Sequence, residues 1–190
     1  MEKLKEAILK HHHIEQDILD DFVQYWEVVD FSKNAIISEQ GKTDNYLYFT
    51  VSGCQKAYYL NNGKESIISF TQPNHFTCAP ESFLTQKPSK YYFQCIHDSS
   101  FYRISYQHFK RQVDKHVALQ YFLTNSLMGL VNNITDRFIK QATYSISMKF
   151  VDFMHEHGNL INHIPQKDIA NFLNINPTNF SKLINSVKVE

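Results

Sequence analysis

The spacing of apolar residues changes along this chain and divides it into three parts. Residues 2–29 place apolar side chains at helical intervals, which predicts an N-terminal helical cap. From residue 31 to residue 104, short aromatic or β-branched runs predict strands. From Ser105, which can cap a helix, to about His157 the spacing returns to a helical period. The pattern therefore predicts an α+β protein in which a β module lies between helical segments.

Six runs predict the strands of the β module. They are residues 36–37, 46–51, 56–60, 66–70, 91–96 and 100–104. Gly41, Gly53 and Gly63 lie between runs and indicate turns. The pair Asn62-Gly63 predicts a two-residue hairpin, because a type I′ turn needs positive φ at both central positions.

One apolar stripe follows the β module on a predicted long helix. Its members lie three or four residues apart: Leu123, Leu127, Leu130, Ile134 and Phe138. An apolar stripe of this length needs another apolar surface to pack against. Its spacing is equally consistent with packing on the chain's own β module and with packing on a second copy of the chain. A further helix is expected from about Ser145 to His157, with Gly158 as its C′ residue.

Residues 164–184 have the pattern of two short helices joined by a tight turn. Helices that cross steeply share a small core, which fixes the offsets of its apolar residues. The residues at those offsets are Ile169, Leu173, Ile175, Phe180 and Leu183. Ala170 is small enough to stand at the crossing, and Asn174 tolerates the positive φ that the turn needs. The pattern is typical of helix-turn-helix DNA-binding motifs, and an ordinary helical hairpin is the alternative.

The second of these helices has its own start signal. Asn176 is expected as N-cap and Pro177 as the first helical residue, where a missing N–H costs nothing. The residues expected to face a DNA groove are Pro177, Thr178, Asn179, Ser181 and Lys182.

Charge does not single out a nucleic-acid surface. The 190 residues have formal net charge zero, and residues 164–190 hold three lysines against one aspartate and one glutamate. Arg103, Arg111 and Arg137 all lie in the middle of the chain, which leaves Lys182 as the only cation of the predicted recognition helix. DNA affinity would then require a dimer or contacts from elsewhere.

Cysteine and hydropathy patterns predict a cytoplasmic protein without a membrane partner. Cys54, Cys78 and Cys95 are too widely spaced for a paired metal site and indicate reduced thiols. The chain has no signal-like apolar run near its start and no apolar stretch of about 18 residues.

The histidine and cysteine clusters are candidates for a reactive or metal-binding site, and each has an ordinary structural interpretation. His75, Cys78 and Glu81 resemble a nucleophile with its base, but nothing adjacent forms an oxyanion hole. Successive histidines at 11–13 point in different directions on a helix and make a poor closed site. His75 or His97 could ligate heme, although a structural role is the commoner one. We therefore expect no enzyme activity, metal or cofactor.

The order of these parts resembles that of the Crp/Fnr superfamily of bacterial transcription regulators, especially its short variants common in Bacteroidetes. The resemblance spans nearly the whole chain and is most specific in residues 46–53, 62–65, 101–109, 164–175 and 180–182. It implies a cyclic-nucleotide-binding-like β-roll with its helical cap (1–104), a long dimerisation helix (105–140) and a helix-turn-helix domain (141–190). It also implies a homodimer that binds palindromic double-stranded DNA under the control of a small-molecule effector.

The chain departs from this family where cyclic nucleotides bind. Binding members use a Gly-Glu pair for the ribose and Arg-Ser or Arg-Thr for the phosphate. No arginine occurs in residues 1–102, and Ser89 and Lys90 fall where Arg and Ser are expected. Lysine is a point charge and does not replace a bidentate guanidinium. The resemblance implies a pocket of Phe76, Glu81, Ser82, Ser89, Lys90 and Tyr91, without tight cyclic-AMP binding.

The recognition helix departs as well. Pro177 and Thr178 stand where relatives have Arg and Glu, and Lys182 replaces a second arginine. Asn179 can read adenine and Lys182 guanine, with Ser181 or Thr178 on phosphate. Only six residues follow residue 184, so a truncated wing is expected. The competing hypothesis is a ligand-binding or protein-interaction module whose degenerate helix-turn-helix no longer reads DNA.

Overall fold

The structure, a computed structural model, describes the backbone of residues 1–158 and 161–186 and, among these, the side chains up to residue 184. The chain divides into two units, Met1–Gly129 and Leu130–Glu190. The first unit mixes helices with two β-sheets, and the described residues of the second unit are helical. The protein is therefore α+β, as the apolar pattern predicts.

The described residues include eight helices and eight strands. The helices are α1 (Glu2–Leu9), α2 (Gln16–Val23), α3 (Pro80–Thr85), α4 (Tyr106–Lys115), α5 (Val117–Thr143), α6 (Ile146–His157), α7 (Gln166–Phe172) and α8 (Pro177–Ser186). The strands are β1 (Glu27–Phe31), β2 (Ile36–Ser38), β3 (Tyr46–Ser52), β4 (Gln55–Asn61), β5 (Lys64–Thr71), β6 (Phe76–Thr77), β7 (Tyr92–Cys95) and β8 (Ser99–Ser105).

The N-terminal helical cap consists of α1 and α2, with residues 10–15 between them. The helical prediction for residues 2–29 is wrong at its end, because β1 already begins at Glu27. Val28 and Val29 pair with Tyr102 and Phe101 of β8. Pairing with a distant strand here overrides the local helical spacing.

The strands form a β-roll of two four-stranded antiparallel sheets. Their orders are β1-β8-β3-β6 and β2-β7-β4-β5. All six predicted runs become strands, and only β1 and the two-residue β6 lie outside them. The β4–β5 hairpin turns at Asn62 and Gly63, whose φ angles of 50° and 76° confirm the predicted turn.

Gly53 turns the chain between β3 and β4 with a φ of 89°. A Cβ atom at this position would lie 2.1 Å from Ser99 Oγ. Both the left-handed backbone and the close approach of β8 therefore require glycine.

Aromatic and aliphatic side chains join the cap, the roll and the following helices in the core of the first unit. Ile8, Phe22, Phe49, Phe109 and Phe122 come from α1, α2, β3, α4 and α5, and all are at most 2% exposed. Burial of this apolar surface is the main favourable contribution to the stability of the unit.

Serine side chains cap the start of α4 and of α6. Ser105 Oγ accepts a hydrogen bond from His108 N, and Ser145 Oγ accepts one from Met148 N. The helix after Ser105 is interrupted at His116, which has extended backbone, so the long helix is α5 alone. Gly158 follows α6 as predicted, but it is the C-cap, with a right-handed φ of −56°, so its assignment as the C′ residue is wrong.

Helices α7 and α8 are joined by the short turn at residues 173–176. Ile169, Ala170, Leu173, Ile175 and Phe180 are at most 5% exposed, as their offsets predict. The sixth residue of the predicted set, Leu183, is partly buried. The expected truncation of a wing concerns residues 187–190, which lie outside the described residues.

Candidate sensor pocket and nucleic-acid interface

Asp44 lies outside residues 76–91, which form the cassette segment, and hydrogen-bonds to residues of that segment. The Asp44 carboxylate accepts hydrogen bonds from Ala79 N (2.6 Å) and from Ser38 Oγ (2.5 Å). Its backbone N–H donates to Ser82 Oγ at 3.0 Å. Burial raises the pKa of the Asp44 carboxyl, whereas the bonds from Ser38 and Ala79 oppose the shift. The chain therefore anchors the cassette segment with a carboxylate of its own.

The hydroxyl groups of the predicted pocket are engaged within the cassette segment. The buried Ser82 donates to the carbonyl oxygen of Lys87 at 2.5 Å, and the buried Ser89 donates to that of Tyr91 at 2.8 Å. Tyr91 Oη donates to Glu81 Oε2 at 2.8 Å. These bonds hold the segment together and occupy groups that the sequence assigns to a ligand.

The two remaining predicted pocket residues lie in contrasting environments. Phe76 packs against the apolar core, with its ring 5.3 Å from Phe49 and 5.7 Å from Phe122. Lys90 is exposed. The structure thus brings Glu81, Ser82, Ser89 and Tyr91 into one folded segment, whereas Phe76 belongs to the core and Lys90 to the surface. Asp44 was missed because a single aspartate before a strand looks like an ordinary loop residue.

Helix α5 uses its apolar side chains differently in its two halves. Leu119 and Phe122 are buried in the first unit, and Leu123 packs against the same core. In the second unit, Leu130 is 38%, Ile134 60% and Phe138 74% exposed. Further exposed apolar residues of α5, absent from the predicted stripe, are Val117, Tyr121, Met128, Val131 and Ile139. The core of the first unit therefore takes up the start of the predicted stripe, whereas the stripe residues of the second unit are exposed.

Charged and polar side chains of α5 make the contacts within the second unit. Lys140 Nζ lies 2.9 Å from Asp152 Oδ2 and 2.6 Å from Glu156 Oε1, both on α6. The Arg137 guanidinium lies over the Phe172 ring at 4.2 Å, and Gln141 Nε2 donates to the carbonyl oxygen of Phe172 at 3.3 Å. Hydrogen bonds to both carboxylates raise the pKa of Lys140, whereas burial lowers that of Arg137.

A cavity of about 460 Å³ opens beside these contacts in the second unit. Its wall includes Asp136, Lys149 and His157 together with the ring of Phe153. Charges of both signs line it, and Lys140, Asp152 and Glu156 in its wall already bind one another. The cavity therefore does not select a ligand of one charge.

The turn before α8 is built as its residues predict. Asn174 adopts a φ of 55°, which confirms the left-handed turn position. Asn176 Oδ1 accepts a hydrogen bond from Thr178 N at 2.9 Å, and α8 begins at Pro177. The side chain of Asn176 thus caps the helix.

The polar residues assigned to a DNA groove share the outer side of α8. Phe180 is buried, with its ring 5.6 Å from that of Phe150 on α6. The exposed residues of the first turns are Pro177, Thr178, Asn179, Ser181 and Lys182. The structure therefore brings all five together, with Lys182 as their one cation, and they combine two hydroxyls, one amide and one ammonium for polar recognition.

The thiols of this chain are poor nucleophiles. Cys54 and Cys95 are buried, and burial raises the pKa of Cys54 to about 12 and that of Cys78 well above its usual range. The imidazole Nδ1 of His75 lies 3.1 Å from the carbonyl oxygen of Pro73, so its bond is local. The pairing of His75 with Cys78 as base and nucleophile has no support here.

Two features are absent from the part of the chain that the structure describes, a metal-ion cluster and a membrane-spanning helix. There, no three residues among His, Cys, Asp and Glu are placed to hold a metal ion together. Within the same residues, no helix combines the length and apolar character needed to cross a membrane.

Residues 28–116 match the family described as cyclic nucleotide-binding domain. The match includes the whole β-roll from Val28 of β1 to β8, together with α4. No curated protein matches the chain. The family match thus concerns the β-roll and α4, and it leaves α6, α7 and α8 to structural comparison.

Solved structures resemble the chain over most of its length. FixK2 from Bradyrhizobium japonicum is 14% identical with a TM-score of 0.74, covering 84% of this chain and 83% of its own. The c-di-GMP responsive regulator CLP from Xanthomonas campestris is 10% identical with a TM-score of 0.70, covering 90% of both chains. The catabolite activator protein of Thermus thermophilus is 13% identical with a TM-score of 0.59, covering 95% of this chain and 85% of its own. At this identity the likeness establishes a shared fold.

Proposed function

From this cyclic nucleotide-binding domain and the fold shared with Crp/Fnr regulators, we propose that the chain is a DNA-binding transcription regulator that acts as a homodimer in the cytoplasm. The β-roll is its sensor, the second half of α5 is its dimerisation surface and α8 is its recognition helix. Regulation of transcription, and not catalysis, is the activity that this fold supports.

The outer side of α8 is the observation that carries the proposal. Its five exposed residues at 177–182 stand on a helix fixed by a buried phenylalanine and an asparagine cap. A short helix held this way can enter a major groove with its N-terminal residues against base edges. Asn179 offers an amide for adenine and Lys182 an ammonium for guanine, while Thr178 and Ser181 can reach phosphate.

The exposed apolar face of α5 supports a dimer. Leu130, Ile134 and Phe138 would bury their side chains against the same residues of a second copy. Two recognition helices would then address half-sites about 34 Å apart, one turn of DNA. A dimer also doubles the single cation that each α8 supplies, Lys182, which a chain of zero net charge needs.

The β-roll supports a sensor that does not hold cyclic nucleotides tightly. Its cassette segment lacks arginine, and the Asp44 carboxylate lies among the polar groups that fold this segment. A buried carboxylate disfavours a phosphate nearby. Titration calorimetry should therefore show no cyclic-AMP binding at micromolar concentration, and micromolar binding would contradict this part of the proposal.

Footprinting across a salt series tests DNA binding, with DNA from upstream of the chain's own gene. The wild type should protect a two-fold symmetric site at low salt, and Asn179→Ala with Lys182→Ala should abolish that protection. The matched control is Asn61→Ala with Lys64→Ala, which removes the same residue types from the exposed β4–β5 hairpin. The control should bind like the wild type.

The single cation among the exposed groove residues favours the second candidate, a ligand-binding or protein-interaction module that no longer reads DNA. In that case the wild type would protect no site even at low salt. Equal protection by the α8 variant and the wild type would instead show that DNA contacts lie elsewhere.

A further inference from the structure

Lys140 occupies the space between two carboxylates of α6. Asp152 and Glu156 lie four residues apart, so their side chains project from the same face of that helix. Lys140 Nζ is within 2.9 Å of an oxygen of each. The side chains of Lys140 and Asp152 are 27% and 29% exposed, so water only partly screens this pair, whereas Glu156 is 54% exposed and more strongly screened.

Removal of Lys140 would leave the carboxylates facing each other one helical turn apart. Like charges at this spacing destabilise a helix. The ammonium therefore supplies an attraction between α5 and α6 and also suppresses a repulsion within α6. Its loss should have a larger effect than the loss of an ordinary surface ion pair.

The same face of α5 also reaches α7. Arg137, Lys140 and Gln141 are related by three and four positions, so they share one side of the helix. Arg137 and Gln141 contact the ring and the carbonyl oxygen of Phe172, the last residue of α7. One polar face of α5 thus contacts both helices that precede α8.

Two exposed apolar residues of α5, Ile134 and Phe138, lie on a different side of the helix from Lys140. At about 100° per residue, Ile134 and Phe138 are rotated by roughly 100° or more from Lys140. A partner that covers Ile134 and Phe138 could therefore leave the ion pairs of Lys140 in place, whereas Gln141, seven positions from Ile134, shares the side of Ile134.

We propose that Lys140 is a positioning residue that fixes α6 on α5 and, together with the contacts of Arg137 and Gln141 to α7, sets the place of α8. The local part of this inference concerns the second unit alone. Its consequence for DNA rests on the proposed function, because α8 reads DNA only in that proposal.

Hydrogen exchange of the intact chain tests the local part. Lys140→Met should accelerate amide exchange in α6 and α7 by about threefold to tenfold and leave β3, β4 and β8 unchanged. The charge-swapped variant Lys140→Glu with Asp152→Lys and Glu156→Lys should return exchange to within about twofold of wild type. Lys110→Met, which breaks the exposed Lys110–Asp114 pair of α4, is the matched control and should leave α6 and α7 unchanged.

The milder variant Asp152→Asn covers the case in which Lys140→Met unfolds the second unit. It keeps Lys140 and one carboxylate, and a smaller acceleration in the same helices is expected. Unchanged α6 and α7 exchange in Lys140→Met, or failure of the charge swap to restore it, would overturn the inference.

DNA affinity separates positioning from a direct phosphate contact. If Lys140 positions α8, Lys140→Met should weaken specific DNA binding at least tenfold, and the charge swap should restore it. If Lys140 instead touches phosphate, the swapped variant, with glutamate at 140, should bind no better than Lys140→Met, which would overturn the inference. A wild type that binds no DNA would refute the proposed function, while the exchange experiment would still decide the role of Lys140.

Discussion

The two halves of α5 use the same kind of side chain in opposite ways. In the first half, Leu119 and Phe122 are buried in the core of the β-roll unit. In the second half, Ile134 and Phe138 are exposed, and Lys140 makes the contacts with the neighbouring helix. An apolar stripe on one continuous helix therefore need not pack against one surface along its whole length. Apolar burial holds the first half in place, and polar contacts hold the second.

The largest effect is expected in the first half. Phe122→Ala would leave a cavity among Phe22, Phe76 and His11, because the surrounding rings can only partly collapse. The free energy of unfolding should fall by about 3–5 kcal/mol. Urea denaturation followed by tyrosine and tryptophan fluorescence measures it, and a loss below about 1 kcal/mol would contradict the assigned packing.

In the second half, Phe138→Glu should weaken the dimer instead of the monomer. A charge buried in an apolar interface without a partner should raise the dimer dissociation constant by about 100-fold or more. Analytical ultracentrifugation over a concentration series measures it. Tyr59→Glu places the same charge on an exposed aromatic of β4 and should leave self-association unchanged. A wild type that stays monomeric at high concentration would refute the role of this face.

The cap of α8 should have a smaller effect. Asn176→Ala removes the acceptor for Thr178 N and should destabilise the second unit by about 1 kcal/mol. Hydrogen exchange in α8 should accelerate accordingly, whereas Asn179→Ala, which removes an exposed amide on the same helix, should not change it. Equal effects of the two variants would contradict the capping role.

The smallest effect concerns Asp44. Its folded pKa is raised by burial, so the folded state binds a proton more readily than the unfolded state. Asp44 should therefore make its full contribution to the stability of the first unit at pH values below its unfolded pKa, about 4. That contribution should be lost as the pH rises through the pKa of Asp44 in the folded state. Asp44→Asn should remove this decline in urea denaturation across the acidic range. An identical pH dependence in wild type and variant would contradict it.

Local chemistry made several elements predictable from the sequence. Asn62-Gly63 and Asn174 each take the positive φ that their turns require, and Ser105 and Asn176 cap the helices that follow them. These signals lie within a few residues of the structure that they specify. The apolar offsets around Ala170 were equally informative, because the crossing of two short helices leaves few alternatives.

Contacts between distant residues were not predictable in the same way. The sequence did not predict β1, because Trp26 continues the helical spacing of apolar residues. The residues that follow Trp26 form a strand because they pair with β8. Asp44 gains its role from Ala79, 35 positions away. The spacing of the α5 stripe also did not predict which of its residues pack against the core of the first unit, because that depends on contacts with distant residues.

The decisive measurement is selection of binding sequences from a random DNA pool by the intact chain at low salt, followed by native mass spectrometry of the selected complex. A homodimeric regulator should enrich a two-fold symmetric sequence with half-sites one turn apart, about 34 Å, and bind it as two chains per duplex. Absence of any enriched sequence, or a complex of one chain with an asymmetric site, would contradict the proposed function.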